Sequence, residues 1–266
     1  MKDQCMKKIR LPAVAGLFVA IVATNASAQF ADSVVSYTPG SGANPSYLNP
    51  NAALGAPTTF IGYQNADPFN PPYQPGDLVG LGANGSLTLQ FNTPIQNAPN
   101  SYGLDFIIFG HAGFNEDFGN GTTDGSLFTG GTSTMRVSVS ADGTTFYALN
   151  PVFAPVVDGL FPTDASGNPF IPVNPALTAA DFNGKDLAGI RALYNGSAGG
   201  AGFDIAWAID GSNQSVPLSS VWFVRLEGLS GVAYIDAISV VPEPTAWSLA
   251  LLPGAVWLLR ARRNRA

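Results

Sequence analysis

Acidic side chains are the residues of this sequence best suited to chemistry. The candidates are Asp105 and Asp236, each inside an apolar run, and Glu116 and Asp117 in a stretch rich in Gly and Asn. Carboxylate oxygens are ligands that Ca²⁺ prefers, and Gly-rich loops let backbone carbonyls complete its shell. The four carboxylates therefore predict a structural calcium site, although no EF-hand spacing is present. The alternatives are that Glu116 and Asp117 solvate a loop, and that Asp105 or Asp236 pairs with Arg225.

Nucleophilic catalysis has weaker support in the sequence. His111 is the only histidine, and the one cysteine, Cys5, lies in a segment that we expect to be removed. Thiol–histidine catalysis and zinc sites of the usual Cys/His type are therefore excluded. A serine triad through His111 stays open, but no Gly-x-Ser-x-Gly elbow is present. A glycosidase would need two carboxylates about 5 to 10 Å apart, which a sequence cannot establish. We expect a protein that is not an enzyme.

Aromatic residues in turn-rich segments are a better indication of function. Exposed rings stack on sugar faces, and neighbouring amides and hydroxyls bind sugar hydroxyls. The residues that we predict as ligand-binding platforms are Tyr63, Tyr73, Phe114 and Tyr194. They make a carbohydrate the predicted ligand.

The segments that would position these residues have the pattern of strands and loops. Leu87, Leu89 and Phe91 alternate with polar residues, as in a half-buried strand. Asp142-Gly143 lies between two such runs, a strong hairpin signal. Residues 29–76 are dominated by turn formers, and a short helix is expected near 175–182. Further strands are predicted at 104–109, 135–140, 146–149, 202–207, 221–226 and 233–241. The pattern predicts an all-β fold, an antiparallel β-sandwich of jelly-roll type with long Gly/Pro/Asn-rich loops.

The N-terminus is typical of an export signal. A basic stretch precedes a short apolar run from Leu11 to Val22, and Ala26-Ser27-Ala28 supplies small residues before Gln29. A signal peptidase accepts such residues, so we expect residues 1–28 to be removed by cleavage between Ala28 and Gln29. The apolar run is too short for a membrane span of roughly 20 residues.

The C-terminus contains a second short apolar run with a different arrangement. Val241-Pro242-Glu243-Pro244 precedes an apolar segment from Ala246 to Leu259, and a basic cluster follows it with Arg260, Arg262 and Arg263. Such a cluster stays on the cytoplasmic side of a membrane. Pro253 and Gly254 interrupt the segment, which favours transient membrane association followed by processing over a permanent transmembrane anchor.

These last 26 or so residues resemble the PEP-CTERM sorting signal of Gram-negative, exopolysaccharide-producing bacteria. The resemblance rests on the Val-Pro-Glu-Pro motif, the hydrophobic segment and the arginine cluster, in that order. It implies an exosortase as a partner during export, after the signal peptidase. It also implies a final location in the cell envelope, at the cell surface, or in the biofilm or extracellular matrix.

Residues 77–241 resemble a galactose-binding-like β-sandwich of bacterial surface proteins. The resemblance is carried by 79–91, 104–109, 137–146, 187–189, 202–206, 223–225 and 235–241. The chain departs from the pattern after Phe109, where Gly110-His111-Ala112 replaces an expected acidic residue and Asn. The implied organisation is a signal peptide at 1–28, a loop-rich part at 29–76, the sandwich at 77–241 and a sorting tail at 242–266.

The net charge of residues 29–241 limits the kinds of macromolecule that the domain can bind. Residues 29–241 contain 16 acidic and 4 basic side chains, which gives 4 − 16 = −12. Such a domain repels nucleic acid and anionic lipid surfaces. Together with the resemblance of the C-terminal tail to a sorting signal, this implies an exported, non-catalytic surface or matrix protein with a structural or adhesive role in biofilm. The alternatives are a carbohydrate-binding module for exopolysaccharide and a secreted glycan hydrolase.

Overall fold

The fold is known from a computed structural model that describes residues 29–243. Its strands are β1 (Ser33–Thr38), β2 (Val79–Leu81), β3 (Ser86–Gln96), β4 (Phe106–Gly110), β5 (Gly113–Phe114), β6 (Thr122–Thr123), β7 (Leu127–Thr129), β8 (Thr134–Ser140), β9 (Tyr147–Leu149), β10 (Lys185–Asp186), β11 (Ala201–Phe203), β12 (Ala208–Ile209), β13 (Ser220–Ser230) and β14 (Ala233–Val240). Its α-helices are α1 (Ala179–Phe182) and α2 (Leu187–Tyr194).

Two antiparallel sheets form the centre of the molecule. One has six strands in the order β1-β3-β13-β8-β9-β12, and the other has four in the order β11-β4-β14-β2. The pairs β10-β6 and β5-β7 are two-stranded. The predicted all-β, antiparallel sandwich is confirmed. Its jelly-roll, galactose-binding-like type stays a prediction.

The inter-sheet core lies between the six-stranded and the four-stranded sheet. Leu87, Leu89 and Phe91 of β3 point into it, as their alternation with polar residues predicts. From the other sheet come Phe106, Ile108, Phe203, Ile235 and Ile238, and the rings of Phe106 and Phe203 stack with centroids 5.4 Å apart. Two sheets whose facing side chains interdigitate in this way have the packing that defines a sandwich.

The four-stranded sheet is buried on its second face as well. Ile107 and Phe109 alternate with the inter-sheet residues of β4 and pack with Ala198, Ala237 and Val241. This explains why β4 is a continuous apolar run and not an alternating one. The chain that covers this face and continues beyond it is called here the outer layer, residues 110–134 and 156–200.

The outer layer has its own small core. Phe114, Phe182, Ile190 and Tyr194 are buried together, with Val173 beside them. Helix α2, which the sequence analysis did not predict, supplies Ile190 and Tyr194 four residues apart on one face. Its N-cap is Asp186, whose side chain accepts a hydrogen bond from the Gly189 N–H. The described residues thus form three separate apolar clusters: the inter-sheet core, a small cluster on the second face of the four-stranded sheet, and the core of the outer layer.

Several predicted elements are corrected by the structure. The strand predicted at 202–207 ends at Phe203, because the Asp204 side chain accepts from the Ala206 N–H and starts a 3₁₀ turn over Ile205–Trp207. The helix predicted near 175–182 is shorter, at 179–182. The loop-rich part at 29–76 contains β1, which pairs with β3 and belongs to the six-stranded sheet.

Candidate functional site

An open cleft with a volume of about 220 Å³ lies between the loop of residues 61–73 and the outer layer. Three of its aromatic side chains are well exposed: Tyr63 at 65%, Phe128 at 56% and Tyr73 at 48%. The cleft is also lined by Ile61, Phe69, Asn70, Pro71, Pro72, His111 and Thr129. Exposed rings beside a few polar groups are a typical arrangement for binding a sugar or another small ligand.

The loop that carries two of these rings is fixed by a local carboxylate. Asp67 accepts hydrogen bonds from the N–H groups of Phe69 at 2.8 Å and Asn70 at 3.0 Å, and its own N–H bonds to the Asn70 carbonyl. An Asp that satisfies N–H groups two and three residues ahead forms a rigid Asx-type turn. The hydroxyl of Tyr47 donates to the Tyr73 carbonyl, which holds the far end of the loop. The rings are therefore displayed on ordered backbone.

A hydrogen-bonded relay forms one side of the cleft. Nδ1 of His111 lies 2.6 Å from Oδ2 of Asp158, and Nε2 lies 2.5 Å from Oγ1 of Thr129. The Tyr234 ring packs on the imidazole with centroids 4.5 Å apart. A histidine held by a carboxylate on one nitrogen and a hydroxyl on the other has a fixed ring orientation.

Asp158 is the anchor of this relay. Its side chain is 1% exposed, and its carboxylate also accepts the N–H groups of His111 and Ala112, both at 2.7 Å, and of Tyr234 at 3.3 Å. Position 110 must be glycine, because a Cβ there would lie 2.4 Å from Oδ1 of Asp158. Asp158 therefore joins β4, β14 and the outer layer through one carboxylate.

The predicted ligand-binding residues have two different outcomes. Tyr63 and Tyr73 lie together in the cleft, exposed as a stacking platform requires. Phe114 and Tyr194 were wrongly predicted, because they are 0% and 2% exposed in the core of the outer layer. The Tyr194 hydroxyl donates to the Pro162 carbonyl at 2.8 Å, and burial raises its pKa.

The two strand carboxylates each have partners of their own. Asp105 accepts from the N–H groups of Ile205 at 2.9 Å and Ala98 at 3.3 Å, and from the Asn100 amide at 3.3 Å. Asp236 accepts from the N–H and the hydroxyl of Thr58, both at 2.9 Å. Burial raises the pKa of each carboxyl to about 7. Both carboxyls attach loops to the four-stranded sheet.

The alternative that Arg225 pairs with Asp105 or Asp236 is wrong. The Arg225 guanidinium lies 3.5 Å from the centroid of the Phe146 ring, and its Nε donates to the Thr88 hydroxyl at 3.1 Å. Loop N–H groups and short polar side chains take the place of the cation at both buried carboxyls. Such partners suit a domain in which residues 29–241 contain only four basic side chains.

The predicted calcium ligands do not form one site. Glu116 and Asp117 lie in an exposed loop, where Asp117 accepts from the Gly119 N–H at 3.0 Å and the Asn120 amide at 2.6 Å. Within residues 29–243 no three His, Cys, Asp or Glu side chains are grouped so that they could hold a metal ion.

The processing sites lie at or beyond the ends of the described chain. Ala26, Ala28, Pro244, Arg260, Arg262 and Arg263 fall outside it. Gln29 and Val241 are inside, and their segments are adjacent, because the Gln29 carbonyl accepts from the Val240 N–H and the Ile238 carbonyl accepts from the Ala31 N–H. Pro242 and Glu243 follow Val241 as non-regular chain. Gln29 and Val241 therefore lie close together in the fold.

Sequence reasoning recognised His111 as the lone histidine but missed its partners. Thr129 and Asp158 lie 18 and 47 residues away in sequence, in segments without regular spacing. The backbone of Asp158 is in the left-handed region of the Ramachandran plot, with φ of 57°. A single sequence does not show which Asp adopts this conformation.

Comparison with known proteins adds no assignment: neither a protein-family model nor a curated protein matches the chain. Across residues 29–243, none of the helices is long and apolar enough to cross a membrane.

Proposed function

We propose that this chain is an exported cell-surface or matrix protein that binds a polysaccharide through the cleft beside Tyr63 and Tyr73. The observation that carries the proposal is the group of three exposed rings, Tyr63, Tyr73 and Phe128, around one cleft on an ordered loop. Large exposed aromatic groups of this kind commonly mark binding sites. Adhesion to exopolysaccharide in a biofilm is the role that such binding would serve.

The charge of the domain indicates which glycans are favoured. At −12 over residues 29–241, the protein repels polyanions at low salt. Neutral polysaccharides should therefore bind better than uronic-acid-rich ones. Added salt should reduce this preference by screening the repulsion.

Affinity electrophoresis in gels containing a neutral or an acidic exopolysaccharide tests the proposal. The double variant Tyr63→Ala/Tyr73→Ala should lose about 5- to 150-fold in affinity, since each lost stacking contact costs about 0.5 to 1.5 kcal/mol. Phe153→Ala is the matched control, because Phe153 is 60% exposed and does not line the cleft. Equal retardation of all three proteins would exclude the cleft as the binding site.

Export and sorting are tested separately. The support is the signal-like N-terminus and the Pro-Glu-Pro tail, together with the adjacency of Gln29 and Val241 in the fold. Expression in a host with an intact exosortase system should give a mature mass that begins at Gln29 and ends near 241–244. A mass that extends to Ala266 would instead identify the tail as an ordinary anchor.

Calcium is the remaining part of the proposal. The acidic excess of the domain supports it, since bound Ca²⁺ would offset self-repulsion. Thermal unfolding in CaCl₂ and in EDTA decides the question, because a ligand that binds only the folded state raises the midpoint. Identical midpoints at matched ionic strength would remove calcium from the proposal.

A further inference from the structure

The relay of Asp158, His111 and Thr129 has a geometry that sugar binding does not require. We infer that Thr129 is a nucleophile and that the cleft hydrolyses an ester, such as an O-acyl group on a sugar. The inference depends on the proposed glycan ligand only for the natural substrate. The chemistry itself can be tested with a simple aryl ester.

The hydrogen bonds assign the protonation state of the relay. Asp158 can only accept, so Nδ1 of His111 carries the proton at 2.6 Å from Oδ2. In the neutral imidazole Nε2 then has the free lone pair, and the Thr129 hydroxyl, 2.5 Å away, can donate to it. Each contact lies at or near the usual range for a nucleophile–base–orienter set, about 2.6 to 3.2 Å.

The Asp158 carboxylate, which orients His111, is itself held by backbone hydrogen bonds. Two backbone N–H groups, those of His111 and Ala112, fix Oδ1 of Asp158 at 2.7 Å each. The carboxylate therefore cannot rotate without losing both bonds. Asp158 is a positioning residue, because it acts on the substrate only through His111.

The nucleophile is accessible from the cleft. Thr129 and His111 both line it, and the His111 side chain is 17% exposed. Phe128 and the prolines Pro71 and Pro72 form apolar walls beside them. An acyl group could contact these walls while the sugar ring stacks on Tyr63 or Tyr73.

The reaction balances with water as the only co-reactant. Oγ1 of Thr129 attacks the ester carbonyl and its proton moves to Nε2 of His111 as the new C–O bond forms. The alcohol oxygen leaves and takes that proton. Water then attacks the acyl-threonine and gives a proton to Nε2. Oγ1 departs and recovers that proton, and a carboxylic acid is released.

Turnover should be slow, because Thr129, His111 and Asp158 do not themselves supply a donor to the oxyanion. One such donor is worth about 10² to 10³ in rate. Covalent capture is therefore a better first readout than multiple turnover. A fluorophosphonate probe phosphonylates an activated hydroxyl, with formation of a P–O bond and release of fluoride, so a single addition can be located by mass.

The experiment treats the purified full chain with the fluorophosphonate and, in parallel, with 4-nitrophenyl acetate. We expect one adduct on Thr129 and release of nitrophenol. Thr129→Val should lose both, Thr129→Ser should keep both, and His111→Gln should reduce both at least a hundredfold. Thr132→Val removes a nearby exposed hydroxyl outside the relay and should change neither.

Melting temperatures of all variants verify that they fold. A folded wild-type chain without an adduct or nitrophenol release would overturn the inference, as would full labelling of Thr129→Val. Polysaccharide retardation of the same samples is an independent readout. If the wild-type chain is retarded by polysaccharide but is not labelled by the fluorophosphonate, only the role of Thr129 as a nucleophile is refuted. If it is labelled but not retarded, only glycan binding is refuted.

Discussion

The inter-sheet core and the outer layer are stabilised in different ways. The first is an extended set of aliphatic and aromatic side chains from ten strands, most of them fully buried. The second has a cluster of five fully buried apolar residues and depends on carboxylates that hold loops in place. Asp158 and Asp164 are the main examples, each 1% exposed at the side chain. A sandwich can thus carry an irregular layer if polar anchors replace the missing apolar area.

The largest expected effect comes from a truncation in the inter-sheet core. Phe106→Ala should destabilise the domain by about 4 kcal/mol, because it leaves a cavity against Phe203. Phe153→Ala, at 60% exposure, should change stability by less than about 0.5 kcal/mol. Guanidinium unfolding followed by tryptophan fluorescence measures both. Similar costs for the two variants would contradict the assignment of the core.

The next effect concerns the anchor of the outer layer. Arg191 donates to Asp164 through Nε at 2.7 Å and a terminal nitrogen at 3.0 Å, and its loss would leave a buried carboxylate without a cation. We expect Arg191→Ala to cost about 2 kcal/mol, below the roughly 3 to 5 kcal/mol of a fully buried pair, because the arginine is 40% exposed.

Arg136→Ala is the matched control for this anchor. Its pair with Glu227 spans 3.8 Å between partly exposed groups, so its loss should cost less than about 0.5 kcal/mol. Hydrogen exchange should show the Arg191→Ala loss mainly in α2 and residues 160–170. If protection fell equally in the six-stranded sheet, the outer layer would not be a separate unit.

The third prediction concerns pH, through the contact between Asp236 and Thr58. Burial raises the pKa of Asp236 to about 7 in the folded state, above the ordinary value of 3.8. The folded protein therefore binds more protons between these values, and stability falls as pH rises from about 4 to 7. We expect a loss of about 2 kcal/mol from this group between about pH 5 and pH 7.5.

Asp236→Asn should remove this part of the pH dependence. The amide keeps the shape and can still exchange hydrogen bonds with the N–H and hydroxyl of Thr58. Urea unfolding across this pH range measures the slope. Asp105→Asn offers a second test, since burial also raises its pKa to about 7. An unchanged slope in both variants would show that neither carboxyl titrates as described.

The smallest expected effect is on the stability of two Gly→Ala variants, one in the β8–β9 hairpin and one in the outer layer. Gly143 in the hairpin and Gly121 in the outer layer have φ of 74° and 68°. Alanine at Gly121 meets open space and should cost about 1 kcal/mol of backbone strain. Gly143→Ala should cost more, because its Cβ would lie 2.9 Å from the Phe223 ring. A thermal melt that ranks the two in the opposite order would refute the proposed steric contact.

The β-sandwich could be predicted from local sequence patterns. Alternation in β3 and β8, the apolar run of β4 and the Asp142-Gly143 hairpin are local patterns, and each correctly predicted its strand. Side-chain periodicity is a local property of the sequence, so these strands can be recognised before their pairing partners are known. Tyr63 and Tyr73 could likewise be selected from the sequence, since they lie in a turn-rich segment.

The sequence does not show which aromatic residues are exposed or which carboxylates hold loops in place, because both properties depend on the folded structure. Phe114 and Tyr194 have the same local surroundings as the exposed rings, yet α1 and α2 bury them. The meeting of His111, Thr129 and Asp158 depends on contacts across 18 and 47 residues, through backbone of irregular conformation. Burial and long-range hydrogen bonding are properties of the folded chain, because they depend on which distant segment comes to cover a given residue.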